Sequence, residues 1–122
     1  MVYLVDTDVI IDGLNQRSAA IELLDRIAAD GLAISVVSLG ELFEGGYTQR
    51  DPVAFFAKLQ QFLSGYQTLR VDQDVMHVFA QERARLRREG RMISDFDLVI
   101  GAIAIVHSLR LVSRNRRHFQ RL

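Results

Sequence analysis

Short apolar runs alternate along this chain with longer segments that have helical periodicity. The apolar runs are predicted strands, at residues 2–5, 32–37, 66–71 and 109–113. Predicted helices occupy most of the sequence between them, at residues 18–29, 39–45, 52–63, 72–88 and 96–107. Because parallel strands need helical crossovers, this alternation predicts a parallel sheet with helices on both faces. A length of 122 residues predicts a single domain, residues 1–122, around one core.

The composition excludes several classes of chemistry. The chain has no Cys, so it can have no disulfide, no thiolate nucleophile and no zinc site built on Cys. Acids interrupt its first apolar run, and the apolar run at residues 98–106 is too short to cross a bilayer. We therefore expect a soluble cytoplasmic protein without a membrane partner. The net charge of zero neither favours nor excludes nucleic acid.

Polar residues fall at the ends of the predicted strands. Asp6 directly follows strand one, and Asn115 closely follows strand four. Glu41 is predicted in the first turn of the helix after strand two, and Asp97 in the first turn of the helix before strand four. All four should lie at the carboxyl edge of the sheet, where such folds bind ligands. Three carboxylates there would repel one another, and oxygen ligands without His or Cys favour Mg²⁺ or Mn²⁺.

Other interpretations of the same acids stay open. Residues 38–41 fit a helix capping box, residues 94–97 are a close variant of it, and Asp6 could be a turn acid. The D-T-D at Asp8 is similar to the first motif of haloacid-dehalogenase-like phosphatases. That chemistry needs a catalytic Lys, and the chain's single Lys, Lys58, falls inside a predicted amphipathic helix.

Two further acids and three His are predicted to have lesser roles. Asp12 is expected to be a solvated helix residue, and Asp95 a solvent-facing acid in a first helical turn. The three His show no spacing typical of metal ligands. Of these, only His118 is a candidate for approaching RNA, because it closely follows Asn115.

Four segments of the sequence resemble a known family. They are YLVDTDVIID at 3–12, SVVSLGELFEG at 35–45, ISDFDLVIGAIAIVHSL at 93–109 and LVSRNRRHF at 111–119. In order and spacing they resemble the PIN-domain ribonucleases, and in particular the VapC-type toxins of toxin–antitoxin pairs. The resemblance covers nearly the whole chain. It implies a three-layer α/β/α fold with a central parallel sheet of four or five strands.

The resemblance also implies an activity and a set of site residues. The expected protein is an endoribonuclease that uses Mg²⁺ or Mn²⁺ to hydrolyse RNA phosphodiester bonds, forms a homodimer and is inhibited by a VapB-type antitoxin. Asp6, Glu41 and Asp97 would be its metal ligands. The family's fourth acidic position falls near Asn115, which brings no charge. Two hydroxyl residues beside the site would orient ligands: Thr7 and Ser113.

Basic and aromatic residues are the candidate contacts for RNA or antitoxin. Residues 83–91 contain five Arg, which indicate either a solvated helix face or a rim that follows phosphates. The basic candidates after strand four are Arg114, Arg116 and Arg117, and the aromatic ones are Phe43 and Tyr47. The alternative function is a catalytically weak PIN-like module that binds RNA or protein, and the feature in its favour is Asn115.

Overall fold

The computed structural model describes residues 2–122 and contains one parallel sheet. Its strands are β1 (Tyr3–Val5), β2 (Leu32–Ser35), β3 (Gln67–Leu69) and β4 (Arg110–Val112). They lie in the order β3-β2-β1-β4, with all three neighbouring pairs parallel. The predicted parallel α/β fold is confirmed, and within the described residues its sheet has four strands.

Helices cover both faces of the sheet. They are α1 (Thr7–Leu14), α2 (Ser18–Ile27), α3 (Val36–Tyr47), α4 (Pro52–Phe62), α5 (Gln73–Glu89), α6 (Asp95–Val106) and the single turn α7 (Arg116–Phe119). Successive strand residues point to opposite faces. Leu4 therefore packs with residues of α5 and α6, whereas Val5 packs with residues of α1 to α4. No helix in residues 2–122 is both long and apolar enough to cross a membrane.

Helix α3 begins earlier than the sequence pattern predicted. Ser35 ends β2 and caps α3, because its Oγ accepts the backbone N–H of Ser38 at 2.9 Å. The capping box predicted at residues 38–41 is therefore wrong, and Glu41 lies in the second turn of the helix rather than the first. The prediction failed because the β-branched pair at 36–37 extends the apolar run of β2 and is typical of a strand.

Helix α3 also continues past Gly45 and Gly46, beyond the end predicted at residue 45. It runs to Tyr47, and Gly46 is buried within it. A Cβ at position 46 would lie 2.7 Å from Phe56 Cζ and 2.8 Å from Phe55 Cδ1. Gly46 therefore serves the close packing of α3 against α4, which a sequence pattern alone does not distinguish from a helix stop.

Two helices that carry site residues have no predicted range, although Asp12 of α1 was expected to be in a helix. Helix α1 starts directly after Asp6, which caps it, and its β-branched residues resemble a continuation of the first strand. Helix α7 lies in the segment after β4 for which no element was predicted. By contrast, α6 begins as expected, since Ser94 Oγ accepts the backbone N–H of Asp97 at 3.2 Å.

Candidate active site

Asp6 lies at the carboxyl end of β1, beside the end of β4. Its backbone N–H donates to the carbonyl of Val112 at 2.9 Å, which continues the β1–β4 pairing past the last strand residue. Its side chain is only 5% exposed. Oδ1 accepts the backbone N–H of Thr7 at 2.8 Å, and Oδ2 accepts the hydroxyl of Ser113 at 2.7 Å. Asp6, the first predicted acid, is thus buried. Both predicted hydroxyl residues orient it, Thr7 through its backbone N–H and Ser113 through its side chain.

Glu41 is linked to Asp6 through Thr7. The Thr7 hydroxyl donates to Glu41 Oε1 at 2.7 Å, from the first residue of α1 to the second turn of α3. This contact joins residues that are 34 positions apart in the sequence. Thr7 therefore holds two acids at once, Asp6 with its backbone N–H and Glu41 with its side chain.

Asp97 is linked to Asp6 on the other side, through the segment after β4. Asn115 Nδ2 donates to Asp97 Oδ2 at 3.1 Å, and the Asn115 backbone N–H donates to Ser113 Oγ at 2.9 Å. Ser113 in turn donates to Asp6. Hydrogen bonds therefore connect all four residues predicted to meet at this edge, and the connected set of Asp6, Thr7, Glu41, Asp97, Ser113 and Asn115 is called the acidic site below.

His118 also belongs to this neighbourhood, although the sequence made it a candidate for approaching RNA and not for contact with Asp97. Its Nδ1 lies 2.8 Å from Asp97 Oδ2 and 2.8 Å from Asn115 Nδ2. Its position three residues after Asn115 was a usable signal, because α7 is a helical turn and such residues share a face. The search for ligand spacing among the three His overlooked it, because its partners lie on other elements.

Among the described residues, no Arg or Lys balances the charge of the acidic site. Among residues 2–122, no ion pair joins an Arg or Lys to Asp6, Glu41 or Asp97. The pKa of Asp6 is raised from 3.8 to about 6, chiefly by burial and also by the nearby carboxylates of Asp8 and Asp97, and the hydrogen bonds from Ser113 and Thr7 oppose the rise. Charge at Asp6 is therefore costly unless a cation arrives.

The donor atoms of the acidic site suit a hard cation, although no enclosed metal site is already assembled. Within residues 2–122, no group of three or more His, Asp or Glu side chains is close enough together to hold an ion as it stands. Both oxygens of Asp6 accept protein hydrogen bonds, whereas Glu41 and Asp97 each accept through one oxygen, Oε1 and Oδ2. The other oxygen of Glu41 and of Asp97 remains for a ligand, and an all-oxygen set fits Mg²⁺ or Mn²⁺.

A second group of acids lies on α1 and is balanced by Arg114. The Arg114 Nε lies 3.0 Å from Asp12 Oδ2, and its backbone N–H donates to Asp8 Oδ2 at 3.0 Å. Arg17 also approaches Asp12, at 3.6 Å. The expectation that Asp12 is solvated is wrong, since its side chain is 15% exposed and paired. This set of Asp8, Asp12 and Arg114 is called the Arg114 clamp below.

Asp8 carries one unusual feature within the Arg114 clamp. Its Oδ1 is buried and has no hydrogen-bond partner among the described residues. Burial also raises the pKa of Asp8, and the backbone N–H of Arg114 opposes that rise. Because Arg114 bonds to acids of its own chain, it is less available as the RNA or antitoxin contact that the sequence suggested.

The remaining predicted contacts lie on the surface. Arg116 and Arg117 are exposed, and neither forms an ion pair with another described residue. Tyr47 is 76% exposed, and both it and Phe43 pack edge-on against Phe56, with ring centroids 5.0 and 5.9 Å away. Their predicted roles as contacts stay predictions.

Part of the Arg run on α5 is occupied by ion pairs. Arg83 lies 3.0 Å from Asp95, which is exposed as expected, and Arg85 lies 2.6 Å from Glu82. Arg85 also pairs with Glu89, one turn further along the helix. These contacts favour the solvated helix face over the rim that follows phosphates.

The comparison with known families decides the classification. A family model described as "PIN domain" matches residues 3–122. The chain belongs to the PIN-domain family.

Among its relatives, Ribonuclease VapC2 of Haemophilus influenzae is 30% identical, and the alignment covers 98% of this chain and 91% of the relative. The tRNA(fMet)-specific endonuclease VapC of Shigella flexneri is 28% identical, with the same coverage. The resemblance to VapC-type PIN proteins is confirmed.

Solved structures support the same classification. The chain is similar to DNA-bound VapBC from Salmonella typhimurium, with a TM-score of 0.90, 26% identity, and coverage of 98% of this chain and 91% of that one. VapBC2 from Rickettsia felis, bound to a DNA fragment from its promoter, has a TM-score of 0.91 at 24% identity and covers 98% of this chain and 92% of its own. This second likeness supports the fold.

Proposed function

We propose that this protein is a VapC-type endoribonuclease toxin that hydrolyses RNA phosphodiester bonds and is inhibited by a VapB-type antitoxin. The observation that carries the proposal is the acidic site. In a PIN-domain chain, Asp6, Glu41 and Asp97 come from three separate elements and are joined by hydrogen bonds at the carboxyl edge of the sheet. Relatives of nearly equal length carry the names ribonuclease and tRNA(fMet)-specific endonuclease, which supports the same activity.

The proposed cofactor is Mg²⁺ or Mn²⁺, held by Asp6, Glu41 and Asp97. The residues fit such an ion by their oxygen donors, by the burial of Asp6 and by the lack of an Arg or Lys partner in residues 2–122. When bound, the ion supplies charge neutralisation for a phosphodiester and Lewis-acid activation of water. The side chains of Thr7 and Ser113 orient Glu41 and Asp6, and hydrogen bonds of this kind hold ligating carboxylates in register.

Substrate binding is assigned to the basic surface next to the site. Arg116 and Arg117 are exposed on α7, immediately after Asn115. Guanidinium groups in this position can bind phosphates on either side of the bond that is cut. Arg114 contributes less, since it holds Asp12. We propose cytoplasmic RNA as the substrate, because the cytoplasm is where a VapC-type toxin would meet both RNA and antitoxin.

Two partner surfaces follow from the same function. Phe43 and Tyr47 lie on α3, the helix that also carries Glu41. The family resemblance implies that this region lines the groove filled by the antitoxin, and the similarity to VapBC complexes supports such a partner. A homodimer is part of the proposal, in line with the family resemblance.

The alternative is a PIN-like module that binds RNA or protein and is catalytically weak. The observation in its favour is Asn115, a neutral amide that donates to Asp97 where a fourth acid would add negative charge. Cation binding separates the two functions, since a pure binding module need not hold a metal ion.

The test is cleavage of a mixed RNA pool by purified, antitoxin-free protein. The reactions contain Mg²⁺, Mn²⁺ or EDTA, and they include Asp6→Asn and Asp97→Asn beside the wild type. We expect cleavage that needs the metal and that both substitutions abolish. Intact RNA in every lane, together with no metal binding by calorimetry, would establish the binding module instead. Cleavage that survives both substitutions would show that the active site lies elsewhere.

A further inference from the structure

Asp97 Oδ2 is the meeting point of two nitrogen groups. Asn115 Nδ2 lies 3.1 Å from it, and His118 Nδ1 lies 2.8 Å from it. The two nitrogens are themselves only 2.8 Å apart. Three polar atoms thus form a small triangle. The hydrogens on the two nitrogens must be placed so that no two lone pairs face each other.

With Asp97 ionised, one arrangement of hydrogens satisfies both contacts to Asp97 Oδ2. A bare Nδ1 at 2.8 Å from a carboxylate oxygen would bring two lone pairs together, so Nδ1 of His118 must carry a hydrogen. Turning the Asn115 amide over would place its oxygen against Asp97 Oδ2, which is again repulsive. Both nitrogens therefore donate to the same acceptor, and their closeness to each other reflects their common target.

These two donors determine which oxygen of Asp97 is available to a cation. Each places the positive end of an N–H bond against Oδ2, so a cation that approached this oxygen would be repelled and would have to displace both. Oδ1 of Asp97 accepts no protein hydrogen bond among the described residues and is the oxygen left for a metal ion. A carboxylate held in this way is oriented as a ligand through one oxygen.

We infer that His118 and Asn115 take the place of a second cation, so that this site holds one divalent ion, and that His118 is a positioning residue for Asp97. This inference rests on the proposed metal-dependent function. The residues on the Asp97 side of the acidic site supply N–H donors, whereas a second ion would need further carboxylates there. The two acids of the Arg114 clamp, Asp8 and Asp12, are engaged by Arg114.

The experiment is a calorimetric titration of Mn²⁺ into the purified wild type and four variants. His118→Ala removes the donor, His118→Asn keeps an N–H near the position of Nδ1, and His118→Asp replaces the donor with a carboxylate. The matched control is His77→Ala, since His77 is exposed on α5 and forms no side-chain hydrogen bond among the described residues. Thermal unfolding of each metal-free variant separates loss of the ion from loss of the fold.

We expect the wild type and His77→Ala to bind one Mn²⁺ with equal affinity. His118→Ala should bind it about 10- to 100-fold more weakly, the usual loss when a group that orients a ligand is removed. Its unfolding temperature should stay close to that of the wild type. His118→Asn should recover most of the affinity, and His118→Asp should bind two ions, because it pairs a new carboxylate with Asp97.

Four results would overturn the inference. They are two Mn²⁺ in the wild type, equal affinity of His118→Ala and His77→Ala, failure of His118→Asn to restore binding, and a single ion in His118→Asp.

RNA cleavage measured on the same preparations separates this inference from the proposed function. Cleavage by a two-ion wild type would overturn only the inference, and a one-ion wild type that leaves RNA intact would overturn only the function. A wild type that binds no Mn²⁺ would overturn both.

Discussion

Two groups of acids lie beside each other near the start of α1, and they differ in how their charge is balanced. In the Arg114 clamp, Asp12 faces a guanidinium at 3.0 Å and Asp8 accepts a backbone N–H from the same residue. In the acidic site, Asp6 is more deeply buried but receives only a hydroxyl and a backbone N–H. The first group is neutralised by the protein's own charge, whereas the second is not.

This difference separates structural acids from functional ones. An acid paired with Arg on its own chain contributes to the fold, since it fastens the segment after β4 onto α1. A buried acid whose partners are neutral donors carries a cost that a bound cation can offset. The D-T-D motif places both kinds within three residues, Asp6 to Asp8, so the environment of each acid decides its role. The four predictions below test this separation.

The largest expected effect is on catalysis, in a comparison of Glu41→Gln with Asp12→Asn. Glu41→Gln keeps an oxygen that can accept the Thr7 hydroxyl but removes the charge, so RNA cleavage should fall at least about 100-fold. Asp12→Asn removes a charge of the same sign from the Arg114 clamp and should change cleavage by less than about threefold, within the range of substitutions away from a site. Initial rates on one fluorescent RNA measure both, and equal losses would remove the distinction between the two groups.

The second prediction concerns the stability of the metal-free protein. The pKa of Asp6 in the folded state is about 6, above its ordinary value of 3.8, so charge on Asp6 disfavours folding. This cost is absent below pH 3.8, grows as the pH rises towards 6, and is complete above that. Asp6→Asn should therefore stabilise the metal-free fold by on the order of 2 kcal/mol at pH 7.5 and by almost nothing at pH 3.5.

Urea unfolding in EDTA at the two pH values measures this effect. The matched control is Asp12→Asn, which should destabilise the protein at pH 7.5 because it weakens the pairing with Arg114. A metal-free Asp6→Asn protein that is less stable than the wild type at pH 7.5 would contradict the assignment of Asp6 as an uncompensated charge.

The third prediction concerns the hydroxyl that connects two acids. Thr7→Val keeps the shape of the side chain but loses the hydrogen bond to Glu41 Oε1. Mn²⁺ affinity should fall about tenfold, at the lower end of the loss expected for a group that orients a ligand. Calorimetry measures this, and Thr48→Val is the control, because the Thr48 hydroxyl bonds only to the carbonyl of Gly45 at the exposed end of α3. Unchanged affinity in Thr7→Val would exclude an orienting role for this residue.

The smallest expected effect is on the clamp. Arg114→Ala leaves Asp12, a mostly buried acid, with only the more distant Arg17 as a partner. The free energy of unfolding should fall by about 1 kcal/mol, since Arg114 itself is largely exposed and solvent screens the pair. Arg117→Ala should change stability by less than about 0.5 kcal/mol. If Arg117→Ala destabilises as much as Arg114→Ala, the clamp has no special role in the fold.

The sequence was sufficient to predict the fold and the meeting of the acids. Strands that alternate with helices require parallel pairing, and parallel pairing brings strand ends to one edge. Asp6 and Asn115 follow such ends, and Asp97 lies in the first turn of α6 as expected. These predictions depend only on where each residue lies relative to the strands, and the apolar runs of the sequence locate the strands well.

Three features could not be predicted, because they depend on packing or on distant contacts. The start of α3 was hidden by Val36 and Val37, whose β-branched side chains suit a strand equally well. The pairing of Arg114 joins residues about 100 positions apart, and no local pattern indicates it. His118 was expected near Asn115, but no local pattern indicated its contact with Asp97, which belongs to another helix.

The most direct test of the account is urea unfolding at pH 7.5 of the wild type, Asp6→Asn and Asp12→Asn, each in EDTA and in Mn²⁺. If the acidic site holds the ion, Mn²⁺ at ~100 times its dissociation constant should stabilise the wild type by about 2.7 kcal/mol. It should stabilise Asp12→Asn equally and leave Asp6→Asn unchanged. Equal stabilisation of Asp6→Asn, or none in the wild type, would contradict the claim that the acidic site binds a cation.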